Sequence, residues 1–180
     1  MKTHLKALVV TILAFLLMVG GYKWISSRNS VSTETPVSNT TPMTMPDSDM
    51  TLLDGKKINI KFFTGKVVIF NFWASWCSPC IEEVPSLVSL VKADPNIVVV
   101  AVSGDQNKDD IYAFLKSFPD FNKAPIYVVQ AEADALTKQF NVEKLPESYI
   151  FNTKGEMVKK ITGTINWHTS DSLEYFKSLR

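Results

Sequence analysis

The chain has little cysteine: its 180 residues include only two, Cys77 and Cys80. Two cysteines three positions apart exclude a scaffold held by several disulfides and a zinc site made of four cysteines. Charge of one sign is also lacking, because 19 basic residues offset 18 acidic residues and leave a formal net charge of +1. The sequence has no basic stripe that would attract nucleic acid, so no polynucleotide partner is expected.

The overall composition is that of a folded protein. Hydrophobic residues make up 46% of the chain and charged residues 21%, which is close to globular averages. These values exclude a fully disordered chain, a collagen and a membrane protein with many spans. A length of 180 residues suits one domain of ordinary size with additional segments.

The N-terminus has the layout of an export signal, with two lysines close before a mostly apolar run at residues 7–21. No cleavage pattern of small residues follows, and Tyr22 and Trp24 are placed as interfacial aromatics. Residues 1–25 are therefore predicted to be a retained single-pass anchor, with a cleaved signal peptide as the alternative. The segment has no cysteine, which excludes a lipoprotein anchor. The leading lysines would leave the domain outside the cytoplasm.

The composition changes after the apolar run. Residues 26–49 are rich in Ser, Thr and Pro and have almost nothing to bury, which predicts a disordered linker. Residues 50–180 are then expected to form the folded domain.

Within the domain, residues 66–73 form a nearly continuous apolar run, which is typical of a central strand covered on both faces. Apolar residues at helical spacing follow between positions 81 and 92, so the cysteine pair lies where a strand gives way to a helix. Further strands and helices alternate along the chain, which predicts parallel βαβ units that end in a hairpin and a last helix. A short edge strand is predicted at 58–62.

Cys77 and Cys80 frame the motif Cys-Ser-Pro-Cys at the predicted start of that helix. The positive end of a helix stabilises a thiolate, which favours Cys77 as the nucleophile that attacks a substrate disulfide. A second thiol must then release the reduced product, and Cys80 is predicted to do so. Pro79 suits the first helical turn, and Ser78 and Pro79 are expected to tune the reduction potential.

The segment Phe72-Trp-Ala-Ser-Trp-Cys-Ser-Pro-Cys80 resembles the active-site signature of thioredoxin-fold proteins. With Glu83-Val-Pro85, the residues 145–151 and the turn at 152–158, it is similar to the membrane-anchored TlpA/ResA/CcmG branch, from about Leu52 to the C-terminus. The resemblance implies an α/β, thioredoxin-like fold with a central mixed sheet flanked by helices. It also implies a bacterial protein of the cytoplasmic membrane with its domain on the periplasmic side.

The resemblance assigns a substrate-binding surface. In that family a cis-proline packs opposite the cysteines, and Pro146 matches it, with Leu145 as the residue whose backbone would pair with an extended substrate. An ordinary trans-proline is the alternative, because cis X-Pro bonds are a minority. Trp76, beside the cysteines, is expected to shape this surface together with Ser78 and Pro79, although a packing role is the alternative for Trp76.

Glu83 matches an acidic residue that the family places near the cysteines. A buried resolving thiol must lose a proton before it attacks, and a carboxyl group whose pKa is raised by burial could accept that proton. Adjacent Glu82 competes for this role, and both could instead be solvated acids that complement the helix dipole. Asn71 stands where the resemblance would put the buried Asp of cytoplasmic thioredoxins, so the relay is assigned to Glu83.

The leading hypothesis is a disulfide reductase for exported proteins, with no cofactor besides the Cys77–Cys80 pair. By resemblance, the first candidate substrate is the haem-attachment cysteine pair of apocytochrome c, and electrons would come from a membrane thiol donor. An oxidase or isomerase of the same fold is one alternative, because the direction follows the reduction potential. A copper-binding module using both cysteines and His168 is another, although no metal site is expected.

Overall fold

The computed structural model describes residues 43–130 and 135–180. The predicted anchor at residues 1–25 and most of the predicted linker lie outside these residues. In the part of the chain that is described, no helix is long and apolar enough to cross a membrane.

The described residues form seven strands and four α-helices. The strands are β1 (Asp49–Thr51), β2 (Lys57–Asn59), β3 (Val67–Trp73), β4 (Ile97–Ser103), β5 (Ile126–Gln130), β6 (Glu147–Phe151) and β7 (Met157–Thr162). The helices are α1 (Ser78–Ala93), α2 (Lys108–Ser117), α3 (Ala135–Gln139) and α4 (Ser170–Ser178). Short 3-10 helices at Ile60–Phe63 and Pro119–Asn122 complete the regular structure.

The main sheet is mixed and has five strands in the order β5-β4-β3-β6-β7. Strands β3, β4 and β5 are parallel, whereas β6 runs antiparallel to β3 and β7 antiparallel to β6. All seven residues of β3 are buried, as predicted for a central strand. The predicted mixed sheet with flanking helices is confirmed.

The two faces of β3 belong to two separate cores, because successive side chains of a strand point to opposite faces. Val67, Ile69 and Trp73 pack into a cluster that includes the apolar face of α1. Phe70 and Phe72 pack into a second, aromatic cluster on the other face. The sheet is therefore covered on both sides.

The predicted edge strand at 58–62 is wrong in its second half. Strand β2 ends at Asn59, and residues Ile60–Phe63 form a 3-10 helix. The side chain of Asn59 accepts a hydrogen bond from the backbone N–H of Lys61 and caps this helix. Capping by an asparagine side chain competes with strand pairing, which the alternating pattern alone did not reveal.

Residues that precede β1 already contact the folded domain. The backbone N–H of Met45 donates to the carbonyl of Gly155 at 2.8 Å, and Thr44 bridges to Glu156 in the β6–β7 turn. Gly155 has a φ of 76°, a left-handed conformation that glycine adopts without steric cost. Residues that the sequence assigns to the linker thus contact the hairpin.

Candidate active site

Cys77 and Cys80 form a disulfide whose Cα atoms are 5.3 Å apart. Cys77 is the N-cap residue of α1, and Pro79 occupies the first turn of that helix. A short loop, residues 74–77, joins the carboxyl end of β3 to this helix, so the disulfide lies at one end of the central strand. This placement puts the sulfur atoms at the positive end of a sixteen-residue helix.

The surroundings of the two cysteines differ in exposure. Cys77 is 6% exposed and Cys80 is 1% exposed. Ser78 and Pro79 are exposed, and the neighbouring Trp76 keeps 70% of its surface accessible. Cys77 thus lies at the rim of an open surface, which is the arrangement that a nucleophile needs, whereas Cys80 lies beneath it.

Pro146 is brought to the same end of the sheet. The register pairs Phe72 of β3 with Glu147, the first residue of β6, so Pro146 just before β6 lies at the end of β3 that leads to the cysteines. The Leu145–Pro146 peptide bond is cis, the conformation that the resemblance implies. Pro146 is buried and Leu145 half-buried. Both therefore flank the segment that leads into the cysteine motif.

Glu83 is buried inside the domain with its carboxylate fully engaged. The side chain is 2% exposed, and Nδ2 of Asn71 donates to Oε1 at 2.7 Å while Nε1 of Trp167 donates to Oε2 at 3.1 Å. Burial raises the pKa of Glu83, and hydrogen bonds from Asn71, Trp167 and the Ile165 backbone offset part of that rise. Glu82, by contrast, is exposed.

Asp105 holds the loop that leads from β3 to the cysteines. Its carboxylate is 4% exposed and accepts from the backbone N–H of Ser75 at 3.0 Å and from the Ser75 hydroxyl at 2.7 Å. The hydroxyl of Ser103 donates to the same carboxylate at 2.6 Å. Ser75 precedes Trp76 and Cys77, so Asp105 fixes the backbone just before the cysteine motif.

Comparison with known proteins identifies the family. Residues 40–176, well over half of the chain, match the Redoxin family. This chain belongs to the Redoxin family. A thiol-disulfide oxidoreductase ResA of Bacillus thuringiensis subsp. konkukian is 30% identical over 137 residues, which cover 74% of this chain and 75% of that protein. The sporulation thiol-disulfide oxidoreductase A of Bacillus subtilis is 31% identical over an aligned region that covers 63% of this chain and 69% of that protein.

Solved structures show the same fold. The crystal structure of StoA from Bacillus subtilis has a TM-score of 0.59 at 27% identity and covers 76% of this chain and 98% of its own. A thioredoxin-family thiol:disulfide interchange protein from Chlorobium tepidum gives a TM-score of 0.66 at 24% identity, covering 79% of this chain and 99% of that one. The thioredoxin-like fold is confirmed, and the protein is a thiol-disulfide oxidoreductase with a Cys77/Cys80 pair.

Two residues of the site of this Redoxin protein were not predicted from the sequence, Trp167 and Asp105. Asp105 could have been found, because it follows β4 at the edge where β3 also ends, and the carboxyl ends of neighbouring parallel strands meet there. Trp167 gave a weaker signal, an isolated aromatic residue in a polar loop. Only the folded chain brings its indole to Glu83, 84 positions away.

Another buried carboxylate, Glu147, lies directly after Pro146, on the face of the sheet opposite Glu83. It is 2% exposed, accepts from the hydroxyl of Tyr149 at 2.9 Å and pairs with Nζ of Lys160 at 3.0 Å. Thr162 donates to it at 3.2 Å. These contacts tie the first residue of β6 to β7 and hold the adjoining proline segment.

The three side chains of the copper hypothesis are not brought together. In residues 43–130 and 135–180, no group of three or more His, Cys, Asp or Glu side chains is placed to hold a metal ion. His168 lies in the loop before α4, and its backbone N–H donates to the side chain of Asn166 at 3.0 Å. Within the described residues, nothing supports a metal-binding role for these three side chains.

Proposed function

We propose that this oxidoreductase works as a reductase of protein disulfides outside the cytoplasm. The observation that carries the proposal is the buried Glu83, which lies three positions after Cys80 and so on the same face of α1. A resolving thiol must lose a proton before it attacks. A carboxyl group whose pKa is raised by burial is suited to accept that proton.

Reduction begins with the thiolate of Cys77, which the helix N-terminus stabilises. The thiolate attacks one sulfur of the substrate disulfide and forms a new S–S bond to it. The substrate S–S bond breaks, and the other substrate sulfur leaves as a thiolate that takes a proton from solvent. Protein and substrate are then joined by a mixed disulfide.

Cys80 completes the reaction. Its thiol gives a proton to Glu83, and the resulting thiolate attacks the sulfur of Cys77. The Cys77–Cys80 disulfide forms, the mixed disulfide breaks, and the second substrate sulfur leaves as a thiolate that is protonated. Two electrons have then passed from the cysteine pair to the substrate, so a thiol donor must return them before the next cycle.

The substrate-binding surface that we propose consists of Trp76, Ser78, Pro79, Leu145 and Pro146. Trp76 supplies an exposed apolar area beside the nucleophile. The register of β3 and β6 supports the proximity of the proline segment to the cysteine motif. An extended segment of a substrate would lie between the two and present its disulfide to Cys77.

We further propose that residues 1–25 anchor the chain in the bacterial cytoplasmic membrane, with a linker from residue 26 and the domain on the extracytoplasmic side. The linker expected at residues 26–49 would end before Thr44, because Thr44 and Met45 contact the domain and Asp49 begins β1. The substrates of this domain would be exported proteins, first the haem-attachment cysteine pair of apocytochrome c, and its donor a membrane thiol carrier. Met45 meets the β6–β7 turn, at the end of the sheet opposite the disulfide. That arrangement leaves the disulfide end open to partners.

Trapping of the mixed disulfide tests this function. Full-length Cys80→Ser protein is mixed with an oxidised peptide that carries the haem-attachment cysteine pair of apocytochrome c, and the products are analysed under non-reducing conditions. We expect a covalent adduct at Cys77 that a reducing agent releases. The Cys77→Ser protein, which keeps only the buried thiol, serves as the matched control. Failure of Cys80→Ser to form any adduct would refute the proposed reaction.

A further inference from the structure

The loop between β7 and α4 carries a buried tryptophan whose only polar atom points at the proposed proton acceptor. Trp167 is 1% exposed, and Nε1 donates to Oε2 of Glu83 at 3.1 Å. Buried tryptophans usually pair their N–H group with an acceptor, although Nε1 of the equally buried Trp73 has none among the described residues. The acceptor for Trp167 is the carboxylate that the proposed function uses.

Two further contacts fix this loop against α1. The hydroxyl of Ser86 donates to the carbonyl of Glu83 at 2.8 Å and accepts from the backbone N–H of Trp167 at 3.1 Å. The hydroxyl of Thr164 donates to the carbonyl of Pro79 at 2.9 Å, within the cysteine motif itself. The loop is thus bound both to the residue that carries the carboxylate and to the turn that carries the thiols.

The indole ring is held from its other side as well. It stacks on Phe176 of α4 with ring centroids 6.3 Å apart. Beyond the ring lies a cavity of about 260 Å³ between α4 and the β6–β7 hairpin, lined in part by Lys159, Asp171 and Tyr175. The stack on Phe176 and the hydrogen bond from the backbone N–H of Trp167 to Ser86 thus hold the ring in the orientation that directs its N–H group at Glu83.

We propose that Trp167 is a positioning residue for Glu83, and that its indole N–H sets the pH range in which this carboxyl group accepts the proton of Cys80. The inference rests on the proposed function of Glu83. An indole nitrogen only donates, so it stabilises the carboxylate more than the acid. It therefore opposes the rise in pKa that burial causes, and Glu83 stays in the carboxylate form that can accept a proton.

Few other groups compete for control of this carboxylate. Asn71 faces it from β3 and Ile165 from the loop, and both donate hydrogen bonds without carrying a charge. Ser148 of β6 contacts Asn71, not the carboxylate. Among the described residues, the groups that affect Glu83 include no charged side chain. The charged Lys159 and Asp171 line the cavity beyond the indole ring.

The test follows the reaction of reduced full-length protein with 5,5′-dithiobis(2-nitrobenzoate) by stopped flow as a function of pH. The first released chromophore reports attack by Cys77, and the second reports resolution by Cys80. Trp167→Phe keeps a ring but loses the donor. We expect the midpoint of the pH profile of the second phase to rise by about one pH unit, so that the rate of this phase below the midpoint falls about tenfold. Tyr175→Phe, which loses a hydroxyl beside the same cavity but keeps both Trp167 and its stack on Phe176, should keep the wild-type midpoint.

The outcomes separate this inference from the proposed function. An unchanged midpoint in Trp167→Phe, with a profile altered in Glu83→Gln, would overturn the role of Trp167 and leave that of Glu83 intact. A wild-type profile in Glu83→Gln would overturn both.

A second readout needs no change at Trp167. In full-length protein labelled with ¹⁵N-tryptophan, one indole resonance should follow the titration of Glu83 and stop moving in Glu83→Gln. Absence of any such resonance in the wild-type protein would contradict the inference.

Discussion

Nδ2 of Asn71 donates to Oε1 of Glu83 at 2.7 Å, inside the domain and twelve positions apart in sequence. The same nitrogen donates to the hydroxyl of Ser148 at 3.0 Å. Asn71 stands where the resemblance would put the buried acid of cytoplasmic thioredoxins. Here that strand position supplies a donor, and the acid comes from α1.

Asn71→Asp is expected to replace this donor by a second buried carboxyl group. Two carboxylates in contact cannot both ionise readily, so the pKa of one of them rises further. Resolution by Cys80 should then require a pH at least one unit higher than in the wild-type protein. The stopped-flow second phase measures this shift. Ser148→Ala, which changes the other partner of Asn71, should leave the midpoint nearly in place.

The burial of Glu83 should make stability depend on pH. Because its pKa is raised in the folded protein, Glu83 contributes stability below its ordinary pKa, and that contribution is lost as the pH rises through the folded value. The difference in unfolding free energy between wild type and Glu83→Gln should fall with rising pH by at most about 1.4 kcal/mol per pH unit. Urea unfolding of the oxidised proteins from pH 4 to 8 measures it.

The matched control for this linkage is Glu82→Gln, the exposed neighbour on the same helix. Over the same range, the fall in the difference from wild type should be larger for Glu83→Gln than for this control. A constant difference for Glu83→Gln would contradict the raised pKa.

Asp105→Asn should loosen the loop before the nucleophile. Three donor groups of Ser75 and Ser103 bind this carboxylate. The amide nitrogen of an asparagine cannot accept a hydrogen bond, so at least one of these donors would lose its acceptor. We expect a loss of about 1–3 kcal/mol in unfolding free energy and a slower first phase in the stopped-flow reaction. Ser103→Ala removes a single donor and should cost less. Equal stability of Asp105→Asn and wild type would show that the loop is held by other contacts.

Trp76→Ala should weaken substrate binding with little effect on folding. The side chain is 70% exposed, so its loss should change stability by no more than about 0.5 kcal/mol. The KM for an oxidised protein substrate should rise about three- to tenfold, while kcat changes less. Phe62→Ala is the control, because this aromatic is 74% exposed but precedes β3, at the end of the strand away from the cysteines. Equal KM values for the two variants would remove Trp76 from the binding surface.

The sequence patterns were sufficient for the sheet and for the cysteine pair. A buried strand needs a continuous apolar run, and residues 66–73 have one, so the position of Cys77 after a central strand followed directly. The pattern failed at Asn59, where a local hydrogen bond from a side chain overrides an alternating pattern. It also could not reveal the contact of Met45 with Gly155, because backbone hydrogen bonds are nearly independent of residue type.

The polar network of the site was only partly predictable. Glu83 was found through the family resemblance, which places an acidic residue shortly after the cysteines. Trp167 was not found, because its contact with Glu83 exists only after β7 and α4 have packed against α1. Long-range partners of a buried acid depend on the whole fold, and no spacing rule in a single sequence encodes them.

The measurement that tests the central claim most directly is the reduction potential of the Cys77–Cys80 couple. Full-length protein is equilibrated in dithiol buffers, and the couple is followed by the fluorescence of Trp73 and Trp76. A reductase should have a midpoint near or below about −220 mV, towards the ~−270 mV of thioredoxin. A midpoint near ~−120 mV would mark an oxidant and contradict this account.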